Sequence, residues 1–299
     1  MELETFLKLP AEEVADLVRT KEAQVCVFPI NGTRRWFMLE HADKVQGDFI
    51  TAYMDISARR HMELYKMFFD HGVETLITPI FGGEIMERGE EYVQKIGVDG
   101  MERLANHPDF LKFYEENGVH VRFYGDYRKR LRRTRHAYLC DRFAEAMERT
   151  KNNTRYRLFY GVFADDAIES IAEQNVRHFL THGRAPNRRA IVEAYYGEFV
   201  SPASLFIGFD RFWAFDYPLL STGSEDLYFT VAPSPYLTQT QLRSILFDHL
   251  YLRRQKEPDY ESVPPADWGW MRGYYTQNRG RVFGVGQRER GFWIPKDNE

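Results

Sequence analysis

Two arginines stand side by side just after a glycine in the run Phe28-Pro-Ile-Asn-Gly-Thr-Arg-Arg-Trp36. A β-branched stretch ends at Pro29, and Gly32 lets backbone amides come close to a ligand. Amides at such a turn bind phosphate oxygens, and a guanidinium adds paired, charge-assisted hydrogen bonds. The chemistry offered is the binding of a phosphate or diphosphate. The same residues would also serve as an ordinary turn with solvated arginines.

A second cluster, Gly82-Gly-Glu-Ile-Met-Glu87, sets Glu84 and Glu87 one helical turn apart. The pair could share a metal ion or act as bases, and it equally fits a solvated helix start favoured by the dipole. Basic residues crowd Tyr127-Arg-Lys-Arg-Leu-Arg-Arg-Thr-Arg-His136. That run fits a solvated helix start, a nucleic-acid or membrane-surface patch, or an electrostatic funnel for an anionic substrate. His178 and His182 have a metal-capable spacing, but no glutamate follows His178 as a zinc-protease motif requires, so they read as surface. The chain has no Gly-x-Ser-x-Gly elbow and no Walker-type loop, and the lone Gly284-Val-Gly286 does not indicate a dinucleotide.

Short apolar runs alternate with longer helical patterns. Strands are expected near 24–30, 74–80, 119–124, 156–162, 204–208 and 227–231, several of them apolar on both faces as buried parallel strands are. Helices are expected near 11–20, 50–71, 92–104, 109–117, 138–150, 166–180, 188–196 and 238–253, the last opened by the capping box Thr238-Gln-Thr-Gln241. This alternation predicts an α/β fold, a mainly parallel sheet of roughly six strands flanked by helices on both faces. One domain is expected over 1–256. The prolines of 257–265 lead into a C-terminal extension, 257–299, packed on it. Ligands in such sheets sit beyond the carboxyl ends of the strands, which directs attention to the loops at 29–36, 79–88, 124–131, 161–166, 208–218 and 232–236.

The bulk properties exclude some classes. A net charge of −4 argues against a dedicated nucleic-acid binder. Cys26 and Cys140 are too few for a disulfide framework, which fits a reducing cytoplasm. Residues 1–21 lack the basic start and apolar run of a signal peptide, and no stretch reaches the ~18 apolar residues of a membrane span. Aromatic residues make up 15% of the chain, enough for either an aromatic core or a pocket for a greasy or cationic guest.

The 28–36 run resembles the Asp-Gly-Asn-Gly-Arg-Trp signature of the cis-prenyltransferases, the undecaprenyl diphosphate synthase family, which holds an allylic diphosphate and its Mg²⁺. Further resemblances follow in order: Gly72-Val-Glu-Thr-Leu76, Val121-Arg-Phe-Tyr-Gly-Asp126, the stretch from Thr150 to Tyr160-Gly161, and Asp226-Leu-Tyr-Phe-Thr230. Together they span roughly residues 22–254 and imply the cis-prenyltransferase fold. The family's arginine-rich block for a second diphosphate, isopentenyl diphosphate, is replaced by Gly208-Phe-Asp-Arg-Phe-Trp-Ala-Phe-Asp-Tyr217. A second diphosphate without its clamp would bind poorly, so chain elongation is not expected.

The altered pattern is similar to the tuberculosinol and tuberculosinyl-adenosine synthases and the kolavelool-type diterpene synthases. The shared features are residues 28–37, Ala194-Tyr-Tyr-Gly-Glu198, Asp248-His-Leu-Tyr-Leu-Arg253 and Arg281-Val-Phe-Gly-Val-Gly286. This resemblance implies ionisation of a bicyclic C20 diphosphate supplied by a separate class II cyclase, with Mg²⁺ and a homodimer. Water capture, giving a tertiary allylic alcohol, is the expected outcome; transfer to adenosine or another nucleophile is the alternative, and a non-catalytic prenyltransferase subunit a second one. Asn31, Arg35 and Tyr53 become the catalytic candidates, with Gly32, Thr33, Arg34 and Arg35 binding diphosphate. Phe81, Phe209, Phe212, Trp213 and Tyr217 would shelter the cation, each ring worth about 0.5–2 kcal/mol, and Glu84 and Glu87 are the metal candidates. Asn31 stands where the family has aspartate, and its neutral oxygen is a weaker ligand for a hard cation.

Overall fold

The structure, a computed structural model, describes residues 1–20, 24–83, 89–90 and 93–296. Strands β1 (Val25–Val27), β2 (Thr75–Phe81), β3 (Val119–Tyr124), β4 (Tyr156–Val162), β5 (Leu205–Phe209) and β6 (Asp226–Thr230) form one sheet in the order β3-β4-β2-β1-β5-β6. Every ladder in it is parallel. Helices α1 (Leu3–Lys8) and α2 (Ala11–Arg19) precede β1, and α3 (Thr33–Glu40) and α4 (Phe49–Asp70) connect it to β2. Next come α5 (Asp99–Asn106) and α6 (Pro108–Asn117) before β3, then α7 (Tyr127–Leu131) and α8 (Tyr138–Arg149) before β4. The pair α9 (Ile168–His182) and α10 (Arg188–Tyr196) leads to β5, and α11 (Gln239–Phe247) and α12 (Pro265–Asn278) follow β6. An antiparallel hairpin of β7 (Gly286–Glu289) and β8 (Phe292–Pro295) comes last.

The unbroken apolar runs have a direct explanation: both faces of the sheet are buried. Cys26, Leu76, Leu158 and Leu205 enter one core, while their neighbours Val25, Ile77, Phe159 and Phe206 enter a second core on the opposite face. Period-2 alternation therefore sends successive side chains into two different apolar layers, not into core and solvent. Glu198 ties the sheet to the end of α10 through Arg122 Nε at 3.1 Å and Arg157 Nη1 at 3.5 Å.

The strand order also locates the site. From β1 the chain steps to β2 on one side, and after β4 it returns to place β5 on the other side of β1. A switch point of this kind opens a crevice beyond the strand ends. Here the loops that meet there are 28–32, after β1, and 210–217, after β5.

Most expected elements match to within two residues. The segment after Gly32, expected as a turn, is instead helix α3, starting at Thr33. Its N-cap is Gly32, left-handed at φ 76° and offering no side-chain cap, so the usual start signal is missing. The 238–253 pattern is α11, with the expected capping box, followed by a π-turn over Asp248–Leu252. Residue 92, the expected start of another helix, lies outside the described residues; a π-turn over Val93–Val98 runs directly into α5.

Candidate active site

The 31–35 turn is held in place from the far end of the chain. Asn31 N donates to Ser234 Oγ at 3.1 Å, and Ser234 N donates to Asn31 O at 3.0 Å. A β-carbon on Gly32 would lie 2.8 Å from the Phe209 ring and 2.9 Å from Pro233 Cβ, so the position needs glycine for space as well as for its φ. Thr33 Oγ1 donates to Ile30 O at 3.1 Å. Arg34 and Arg35 follow on the first turn of α3, both exposed.

Arg35 is placed by three groups. Its Nη1 lies 3.6 Å from Asp210 Oδ2, and its Cζ stands 5.3 Å from the Phe209 centroid and 5.4 Å from that of Phe292. Phe292 begins β8, after a two-residue turn in which Arg290 and Gly291 both have positive φ, the geometry that matches strand twist in tight hairpins. The C-terminal segment thus reaches the same arginine that the β1 loop supplies.

Two cavities meet at this turn, with Asn31, Gly32 and Arg35 lining both. The first, about 320 Å³, is mostly apolar. Helix α4 gives it Tyr53, Met54, Ser57, Ala58 and His61, a stripe at helical spacing, and Ile80 and Phe81 close it from β2. The Ser57 hydroxyl is buried there, without a hydrogen-bond partner among the described residues. The second, about 920 Å³, is more polar and is lined by Asp165, Asp210, Asp216, Phe209, Trp213 and Phe215. Asp165 accepts from Gly83 N and Arg130 Nη2, each at 3.1 Å. Asp210 and Asp216 are left-handed, a conformation that aspartate tolerates better than most residues.

The structure shows why no arginine stands at 208. A β-carbon there would already lie 2.7 Å from the Phe229 ring and 2.8 Å from that of Phe206. Cross-strand aromatic packing fills the space, and the second cavity sets Asp165, Asp210 and Asp216 beside Arg35 and Arg211.

Among the sequence candidates, Tyr53 and Phe81 line the apolar cavity and Phe209 and Trp213 the polar one. Two others are placed differently from the expectation. Tyr217 is turned into the second core, stacked on Phe206 at 5.7 Å, with its hydroxyl donating to Glu225 Oε1 at 2.9 Å. Phe212 is half exposed, packs on Phe229 at 4.9 Å and lines neither cavity. Glu84 and Glu87 lie outside the described residues. Met54, Ser57, Ala58, His61 and Ser234 were not anticipated as site residues. The α4 stripe was present as a 3–4 spacing, but which face of α4 meets the turn is a tertiary fact.

The turn does not by itself assemble a magnesium site. Asn31 supplies one neutral oxygen, and Asp210 is already paired with Arg35. Among the described residues no group of three His, Cys, Asp or Glu side chains could hold a metal ion.

Burial, with the Arg60 charge beside it, pushes the His61 imidazole down to about 4, and Nε2 lies 3.4 Å from Thr33 Oγ1. The ring is therefore neutral at pH 7. An unfolded histidine titrates near 6.5, so on acidification the unfolded chain takes up this proton first. The stability gained by keeping His61 neutral is whole above pH 6.5 and declines as pH falls toward 4. Melting curves across that window are expected to show a smaller acid-side loss for His61→Gln than for the wild type; equal losses would remove the assignment.

No protein-family model matches the chain. It is 46% identical over 291 residues, 97% of this chain and 96% of the relative, to a tuberculosinyl adenosine transferase of Mycobacterium tuberculosis. The chain belongs to the tuberculosinyl-adenosine transferase family. A (+)-kolavelool synthase of Herpetosiphon aurantiacus is more distant, 24% identical over 93% of this chain and 91% of that protein. The fold of this tuberculosinyl-adenosine transferase family member is that of the cis-prenyltransferases. A probable undecaprenyl diphosphate synthase from Campylobacter jejuni superposes with a TM-score of 0.57 at 14% identity, covering 80% of this chain and 98% of its own. Lavandulyl diphosphate synthase from Lavandula x intermedia gives 0.52 at 13% identity, covering 79% and 97%. Among the described residues, no helix of this family member is long and apolar enough to cross a membrane.

Proposed function

We propose that the protein is a diterpenyl transferase that ionises a bicyclic C20 allylic diphosphate and passes the hydrocarbon to adenosine. The observation that carries this reading is the 46% identity, over nearly the whole chain, to a tuberculosinyl adenosine transferase. It favours the alternative drawn from the sequence over water capture. The polar cavity is consistent with it: its aromatic rings can stack on a nucleoside base, and Arg35 and Arg211 are set against three carboxylates, leaving no surplus of positive charge for a second diphosphate.

In this mechanism the allylic C–O bond breaks and its electron pair leaves with the diphosphate. Arg34, Arg35 and the turn amides stabilise the charge that grows on the leaving oxygens. Asn31 positions the leaving group. Magnesium, if bound, would neutralise part of the diphosphate charge, and the Asn31 side-chain oxygen is what the turn could offer it. The hydrocarbon occupies the α4 cavity, where Phe81 and Tyr53 face the cation. A lone pair of the nucleoside then forms the new bond. Residues 257–299 are read as an extension that serves this site, through Phe292 on Arg35.

The test is incubation of the purified protein and Mg²⁺ with halimadienyl (tuberculosinyl) and kolavenyl diphosphates, with and without adenosine, read by mass spectrometry. An adenosine adduct is expected. An alcohol whose yield ignores adenosine would make the protein a water-adding synthase, and no turnover of either diphosphate would make it a binding subunit. Trp213, 55% exposed on the polar cavity, is the candidate for stacking on the base. Such stacking is worth about 1–3 kcal/mol, so Trp213→Ala is expected to raise the KM for adenosine about tenfold while leaving that for the diphosphate within a factor of two.

A further inference from the structure

A third cavity, about 450 Å³, lies beyond the end of β3, between α7, α9 and α10. The basic run of the sequence folds onto its wall. Three of its cations already have carboxylate partners: Lys129 has Glu169 and Glu173, Arg130 has Asp165, and Arg135 has Glu90. Arg128, Arg132 and Arg133 line the cavity, and Arg177 joins them from α9. Among the described residues none of these four forms an ion pair; Arg128 lies over the Tyr127 ring at 4.8 Å. Guanidinium groups stay charged at every ordinary pH, so four of them around one space repel one another unless an anion sits between them. The acids facing the same space are Asp126 and Glu173, and Glu173 already serves Lys129.

Of two buried hydroxyls, one points to the same conclusion. Tyr127 and Tyr195, 1% and 7% exposed, line this cavity, and among the described residues neither hydroxyl has a hydrogen-bond partner. In the Ala194-Tyr-Tyr-Gly-Glu198 motif the other members are accounted for. Tyr196 donates to Pro218 O at 2.8 Å, Gly197 caps α10 at φ 84°, and Glu198 holds Arg122 and Arg157. The Tyr195 hydroxyl is unused too, but the charges that act on it are the carboxylates Asp126, Asp216 and Asp165, whereas Arg128, Arg132 and Arg122 act on the Tyr127 hydroxyl. A hydroxyl left buried without a partner destabilises the empty protein, and a bound acceptor would satisfy it.

We propose that this cavity is a second anion site, which takes a phosphoryl group between Arg128, Arg132, Arg133 and Arg177 with Tyr127 as a hydrogen-bond donor. It is lined by none of the residues that line the two cavities at the 31–35 turn. The phosphoryl group could be carried by a free diphosphate or by an anionic lipid headgroup, and the experiment separates the two.

Calorimetric titration with sodium diphosphate would use the full-length Arg35→Met variant, so that the turn does not contribute. Binding is expected to persist there and to weaken at least tenfold when Arg132→Gln and Arg177→Gln are added; both positions are exposed, so folding should survive. Tyr127→Phe is expected to weaken binding about fivefold while leaving the melting temperature unchanged or raised, a combination that a purely structural tyrosine would not give. Flotation with phosphatidic-acid vesicles forms the second arm. Vesicle binding that needs Arg132 and Arg177, without diphosphate binding, would assign the phosphoryl group to a lipid. The proposal is overturned if neither probe binds, or if the double substitution leaves binding unchanged.

Discussion

Replacing Arg35 with methionine is expected to lower kcat/KM for the diterpenyl diphosphate by about a thousandfold, the upper range for removing one preorganised donor to a developing anion. Arg35 lines both cavities at the turn, so in the proposed function its charge lies where the leaving group and the acceptor meet. Asp210 at 3.6 Å and the two flanking rings hold it before substrate arrives, and this preorganisation makes the loss large. Methionine keeps most of the apolar stem between Phe209 and Phe292, so the fold should be spared. Asn31→Ala, which removes a neutral positioning group, should cost only about tenfold by the same reasoning on hydrogen-bond strength. Steady-state kinetics with a thermal melt on each variant would measure both. An Arg35→Met enzyme within tenfold of the wild type would place the diphosphate somewhere else.

Gly32→Ala is expected to damage stability and activity together. The left-handed φ of 76° alone costs an ordinary residue about 1–2 kcal/mol. The new methyl would also press on Phe209 and Pro233 at 2.8 and 2.9 Å, against a ring and a proline that have little freedom to retreat. Overpacking of this kind adds about 1–3 kcal/mol, which for a chain of this size lowers the melting temperature by roughly 5–10 °C. Activity should fall more than a hundredfold, since the turn amides and Arg35 move with the backbone. Gly223→Ala is the matched control: its φ is 77°, but nothing lies within 4 Å of the added carbon. It should lose only the conformational part and keep its activity. Equal losses in the two variants would mean that crowding at Gly32 contributes nothing.

The turn itself was legible because its signal is local. Gly32, Arg34 and Arg35 are neighbours in the chain, and a glycine followed by arginines at a strand end has few physical uses. The loop after β5 was harder to read. Phe209, Phe212, Trp213 and Tyr217 looked equivalent as aromatic candidates, yet two line a cavity, one packs on the surface of Phe229 and one is core. No periodicity operates in an irregular loop, and the left-handed Asp210 and Asp216 redirect the chain in ways that side-chain type does not announce.

By itself, the amino-acid sequence determined the six parallel strands, because burial on both faces demands continuous apolar runs, and it marked the 31–35 turn proposed to bind the anion, because its donors are contiguous. Only the tertiary structure decided what surrounds that turn. Ser234 reaches Asn31 across 203 positions, Phe292 covers Arg35 from the C-terminal hairpin, and one face of α4 becomes a cavity wall. These contacts depend on where the strand order reverses between β1 and β5, and so on long-range packing that local patterns do not encode.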